Sequence, residues 1–232
     1  MKIAILDLTT HPEPMLSGMP RVGEQIEDWL SPAFLEAEFR LVSVAEDDEP
    51  LPAVAVFDGL LVSGSEYGVY EDLTWMQPLR QLLLETREAG KPIYGICFGH
   101  QIMADTFGGK AEKSAGGNVV GARTFQFDHR AVDANVWHQD QVTKVPPGSR
   151  ITASAAHCPV GALAYDFPAA SIQFHPEYTQ PHLREIFRRG RDVLLPGDQA
   201  DEAMKSFEES DVAIDLMAAE VADFYREHGK KS

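Results

Sequence analysis

Three side chains in this sequence could together run nucleophilic acyl chemistry: Cys97, His175 and Glu177. Cys97 lies in Lys91-Pro92-Ile93-Tyr94-Gly95-Ile96-Cys97-Phe98-Gly99-His100-Gln101, between an apolar, strand-like run and a helix-like run. Glycines two residues to either side permit a sharp strand-to-helix turn, because neither carries a Cβ to clash. Such an elbow lifts the sulfur out of a sheet and aims it at a helix N-terminus, where unpaired N–H groups and the macrodipole favour thiolate. Ser171-Ile172-Gln173-Phe174-His175-Pro176-Glu177 then supplies an imidazole and a carboxylate at the end of a second apolar run. Pro176 biases His175 toward extended backbone, where residues two apart project to one side, so ring and carboxylate can meet. Glu177 would hold the ring tautomer and stabilise the imidazolium. A lone cysteine in an apolar stretch is more often a small buried hydrophobe, but the flanking glycines favour a nucleophile here. Cys97 with His100 also has a zinc-ligand spacing, yet no second ligand pair follows, so no metal is expected.

Ser63-Gly64-Ser65 follows another apolar run and can aim backbone N–H groups of Gly64 or Ser65 at the same cleft. With the N–H of Phe98, next to the thiol, they would form an oxyanion hole. The same tripeptide also reads as a plain turn between a strand and a helix. Taken by residue type alone, His100, His129, His138 and His157 read as structural or surface residues, and Cys158 as core.

The elements that must position these groups alternate through the first half. Residues 3–8, 39–44, 59–62 and 92–96 read as strands, and 22–30 and 75–89 as helices, the latter with Leu79, Leu82 and Leu83 on one side. Alternation of this kind predicts an α/β fold with a mostly parallel sheet and helices on both faces, its site at the carboxyl ends of the strands. The second half has short strand-like runs at 119–127, 135–137, 151–156, 161–165 and 170–174, read as added antiparallel hairpins. A helix from about 181 to 194 and a helical stretch at 200–227 close the chain. The expected organisation is one catalytic domain over residues 1–195, with residues 196–232 a helical extension packed on it. Residues 11–20, rich in Pro, Met and Gly, are a candidate cleft wall.

Composition narrows the field further. The 232 residues carry 20 Lys+Arg against 36 Asp+Glu, a formal charge of −16, which argues against a nucleic-acid or anionic-membrane surface. Two cysteines cannot build a disulfide framework, which points to a reducing cytoplasm. Residues 1–7 read as a first strand rather than a leader, and no run approaches the ~20 apolar residues of a membrane-spanning helix.

At Gly95-Ile96-Cys97-Phe98-Gly99-His100-Gln101, Gln173-Phe174-His175-Pro176-Glu177 and Leu61-Val62-Ser63-Gly64-Ser65 the chain resembles the class I, triad-type glutamine amidotransferases, in the manner of the amidotransferase domain of GMP synthase. The order and separation of the motifs fit from about residue 3 to residue 187. The resemblance implies a flavodoxin-like fold and hydrolysis of the glutamine side-chain amide through a γ-glutamyl thioester on Cys97, with no cofactor. It also implies that Gln101 contacts the amino-acid part of the substrate. The main chain of a loop at His138, Gln139 and Asp140 would hold its α-groups, although Gln139 stands where relatives often have glycine. Because no nucleotide-binding signature is present, the implied partner is a separate synthetase that accepts the ammonia. A stand-alone γ-glutamyl peptidase would use the same triad, and a non-catalytic binding module would usually lack one of its members.

Overall fold

A computed structural model describes residues 1–229. Its centre is a nine-stranded sheet in the order β2-β1-β3-β4-β11-β10-β9-β6-β7. The parallel half contains β1 (Lys2–Asp7), β2 (Glu38–Ser43), β3 (Gly59–Val62), β4 (Ile93–Ile96) and β11 (Ala169–Ile172). The antiparallel half contains β6 (Val119–Phe127), β7 (Ala131–His138), β9 (Arg150–Ala155) and β10 (Cys158–Ala164). A separate two-stranded ribbon pairs β5 (Lys110–Lys113) with β8 (Asp140–Lys144).

The inner parallel strands β3, β4 and β11 are short and buried because both faces are covered, whereas the edge strand β2 keeps Glu38 and Arg40 exposed. Ile3 and Ile5 of β1 enter one core with Ile26, Trp29 and Leu30 of α1 (Val22–Leu30) and Met217, Val221 and Tyr225 of α6 (Ile214–His228). Ala4 and Leu6, the alternate residues, enter the opposite core with α2 (Met76–Glu88) and α3 (Phe98–Thr106). A third core joins Val120 and Ala122 of β6 to α4 (Gln180–Arg189) and α5 (Gly197–Ser206). The fold is therefore the expected α/β architecture with an added antiparallel region.

Several details differ from expectation. The run at 170–174 is not a hairpin strand on both sides: β11 lies parallel to β4 and antiparallel to β10, and so forms the seam between the halves. β5 and β8, with charged and polar faces, were not foreseen. The helix expected to reach residue 194 ends at Arg189 with Gly190 as its C-cap. The helical stretch at 200–227 is two helices separated at 207–213, and residues 230–232 of the expected extension lie outside the described residues.

Candidate active site

Cys97 closes the link between β4 and α3, and its own backbone takes φ 53° and ψ −103°. A left-handed φ costs a residue with a Cβ roughly 1–2 kcal/mol, so the surroundings must hold it. They do so through three hydrogen bonds: Cys97 N–H to Ile172 O (2.8 Å), Gly99 N–H to Ser63 O (3.0 Å) and Gln101 N–H to Cys97 O (3.1 Å). The flanking glycines are a matter of space. A Cβ on Gly95 would stand 2.7 Å from the Gly99 carbonyl carbon, and one on Gly99 would stand 2.3 Å from Val62 O. The elbow therefore packs directly on β3, and neither position admits a side chain.

His175 follows β11 and is almost fully buried, as is Glu177. Its Nδ1 donates to Glu177 Oε1 at 2.7 Å. The two meet through a turn at Pro176–Glu177 rather than along an extended segment. Burial alone would push the imidazole pKa down, but the charges of Glu177 and Cys97 and hydrogen bonds to both outweigh it and raise it to about 10. The ring stacks on Tyr178 (centroids 4.5 Å apart, planes 13° apart). Asn135 of β7 fixes both ends of this turn, accepting from His175 N–H (2.8 Å) and donating Nδ2–H to Tyr178 O (2.6 Å). Gly64 leaves the space in which thiol and imidazole meet, since a Cβ there would stand 3.0 Å from His175 Cε1 and 3.6 Å from Cys97 Cβ.

The other expected site residues fall around this pair. Ser65 lines the cleft, while its hydroxyl donates to Leu8 O (2.7 Å). The backbone N–H groups of Gly64, Ser65 and Phe98 have no protein acceptor among the described residues, as donors kept for an oxyanion would require. His138, Gln139 and Asp140 line the cleft too, but not as a loop: His138 ends β7, Asp140 begins β8, and Gln139 alone joins them. His138 is buried and held neutral, its pKa lowered to about 3 by burial and by the neighbouring His157. Gln101 is buried with its amide engaged, Nε2 donating to Asp140 O (2.9 Å) and to Gln173 Oε1 (3.2 Å).

Gln173 escaped the sequence reading, although it lies inside the histidine motif. Fully buried, it donates Nε2–H to Cys97 Sγ at 3.6 Å while accepting from Gln101. Asn135 and Tyr178 were missed as well, because a single polar residue in a strand and a lone tyrosine carry no spacing signal. His100 is structural, as expected, with Nδ1 on Ser171 Oγ (2.8 Å) and Nε2 on Val160 O (3.1 Å). Among the described residues no cluster of His, Cys, Asp and Glu could hold a metal ion.

The elbow thus holds a buried thiol against an imidazole, with a carboxylate behind it, at the carboxyl ends of a doubly wound sheet. A model of the class-I glutamine amidotransferase family matches residues 22–190, and the chain belongs to that family. Gamma-glutamyl peptidase 5 of Arabidopsis thaliana is 29% identical over 82% of this chain and 78% of its own length. A glutamine-hydrolyzing GMP synthase of Aromatoleum aromaticum is 32% identical over 63% of this chain, but over only 32% of that longer enzyme. A glutamine amidotransferase of known structure from Methylobacillus flagellatus superimposes with a TM-score of 0.74 at 20% identity, covering 99% of this chain and 94% of the other. Among the described residues no helix is long and apolar enough to cross a membrane.

Proposed function

We propose that this chain hydrolyses the side-chain amide of glutamine or of a γ-glutamyl compound through a thioester on Cys97. The observation that carries this reading is the buried meeting of Cys97 with His175, itself bonded to Glu177. The thiolate attacks the γ-carbonyl carbon, and the oxyanion takes N–H groups from Phe98 and from Gly64 or Ser65. His175 gives its proton to the departing nitrogen as the C–N bond breaks. Once sulfur is acylated its negative charge is gone, which removes one of the charges that keep His175 protonated. The ring can then take a proton from water, whose oxygen displaces sulfur and frees glutamate. Gln101 and the main chain at 138–140 would hold the amino-acid portion.

Two readings of the released nitrogen follow. As a glutaminase the chain would pass ammonia to a separate synthetase, in the way the GMP synthase relatives suggest. As a γ-glutamyl hydrolase it would need no partner, and one observation favours this second reading. The cleft has a volume of about 390 Å³ and continues beyond Cys97 along residues 9–20, within the ~300–1,000 Å³ that accepts ligands larger than one amino acid. Glutamate release from glutamine and from γ-glutamyl amides tests both, with Cys97→Ala as the blank. Loss of the nucleophile should lower turnover by about 10⁴-fold or more. Release that survives Cys97→Ala would overturn the mechanism. Release from glutamine alone, stimulated by a synthetase, would select the first reading.

A further inference from the structure

The part of the cleft beyond Cys97 brings apolar side chains together. Leu16 and Met19 of the segment after β1 and Val22 line it with Ile186 and Leu194, beside the polar side chains of Thr9, Thr10, Gln25 and Asn118. Carboxylates at Glu66 and Asp140 line the same cleft, and among the described residues no lysine or arginine does. The cations near its mouth are engaged elsewhere. Arg189 donates Nη1–H to Met15 O (3.1 Å) and Ser17 O (2.8 Å) and pairs through Nε with Glu185 (2.6 Å), while Arg21 pairs with Asp47 at 2.5 Å. Lys113, whose charge reaches Asp140, is not part of the lining. His182 cannot stand in for them, because burial, with His11 beside it, lowers its pKa to about 4 and leaves it neutral.

We propose that the acyl donor is a γ-glutamyl amide whose amine portion is apolar and carries no carboxylate, and that Leu16, Met19, Ile186 and Leu194 form the wall that receives it. This rests on the thioester reading above. A carboxylate on the leaving amine, as in any γ-glutamyl amino acid, would be desolvated beside this apolar lining with no lysine or arginine among the described lining residues to pair with it. An alkyl group of the same size would instead gain from burial. The glutamyl carboxylate is common to every such substrate and does not discriminate among them. In the acylation step the C–S bond forms, the C–N bond breaks, and the amine leaves neutral with the proton from His175. Water then cleaves the thioester to glutamate and free thiol.

γ-Glutamylbutylamide and γ-glutamylglycine present leaving groups of similar size, one apolar and one ending in a carboxylate. Their kcat/KM values, measured beside glutamine, should differ by about tenfold or more in favour of the butylamide. Leu194→Arg, at a position 38% exposed and so open to a longer side chain, should shrink or reverse that ratio. Met19→Arg, at another lining position, should do the same. A ratio taken within one preparation does not depend on how much of a variant folds. Equal rates, a preference for γ-glutamylglycine, or turnover of glutamine alone would overturn this inference and leave the thioester mechanism standing. If no amide releases glutamate, both fall together.

Discussion

Strands β3, β4 and β11 of the parallel half lead into Gly64, Cys97 and Gln173, whereas the antiparallel half delivers Asn135, Trp137 and His138 from the single strand β7. The first set supplies the thiol, the space beside it and the peptide that leads to His175. The second set holds the first in place: Asn135 pins the His175 turn, and Trp137 O accepts from Cys97 Sγ at 3.8 Å. The difference follows from how the strands are joined. Parallel neighbours need crossovers, so their carboxyl ends gather turns from distant parts of the chain. Antiparallel strands return at once, and their contribution is a wall with a fixed register. The parallel half would thus do the chemistry, and the antiparallel half would set its geometry.

The largest test of that division is Gly64→Val. Its Cβ would stand 3.0 Å from His175 Cε1, with two further methyls to place. Displacing the imidazole by a fraction of an ångström to an ångström should cost about 100-fold in kcat, with the melting temperature little changed. A variant of near-normal activity would mean that thiol and imidazole do not work at this separation.

Acid should separate the halves next. His100 ties α3 to both sides of the seam, through Ser171 on β11 and Val160 O on β10, and burial lowers its pKa to about 4. His138, at the end of β7, is lowered to about 3. An unfolded histidine binds its proton near pH 6.5, so between that value and about 4 the unfolded chain binds more protons than the folded one. Stability contributed by these neutral rings is full above pH 6.5 and is lost as pH falls toward 4, on the order of 3 kcal/mol for His100. Denaturation midpoints across that range should fall accordingly, and His100→Gln should flatten the decline. A profile that is level from pH 7 to 4 would break the argument.

The elbow was legible because its constraint is local: glycines around a cysteine have few other uses, and here each is excluded from bearing a side chain by backbone within the same turn or on β3. The His175–Glu177 pair was legible for the same reason, two residues on one turn. What the sequence could not convey is partnership at a distance. Nothing in Ala169-Ala170-Ser171-Ile172 says that it will lie parallel to β4, and the charged run Lys110–Lys113 has no alternation to mark it as a strand. Gln101, expected to touch substrate, lines the cleft, but its Nε2 also takes Asp140 O and Gln173 Oε1, partners no spacing announces.

Gln173 sharpens the comparison, because it carries contact from β8 and α3 to the sulfur. We read it as a positioning residue: Gln173→Leu removes the donor to Cys97 Sγ and frees the Gln101 amide, and should lower kcat about tenfold. A purely structural role would leave kcat per folded molecule unchanged. Loss of a hydrogen bond that positions Cys97 Sγ should lower kcat with KM little changed, and Gln173→Asn, too short to reach, should not restore it.

The smallest expected effect concerns the helix that covers the parallel half far from the cleft. Tyr225 of α6 is fully buried, stacks on Phe34 (centroids 6.1 Å apart) and donates its hydroxyl to Leu60 O at 2.8 Å, on the strand that leads to Gly64. If the segment after residue 195 is packed as part of the catalytic domain, then Tyr225→Phe leaves one buried carbonyl without this donor and should cost about 1 kcal/mol of stability. The same substitution keeps the ring and its packing, so kcat should be unchanged. The measurement is urea unfolding beside turnover. A loss of activity without loss of stability would mean that α6 acts on the site through β3, and the parallel half would then be less rigid than its short, doubly covered strands imply.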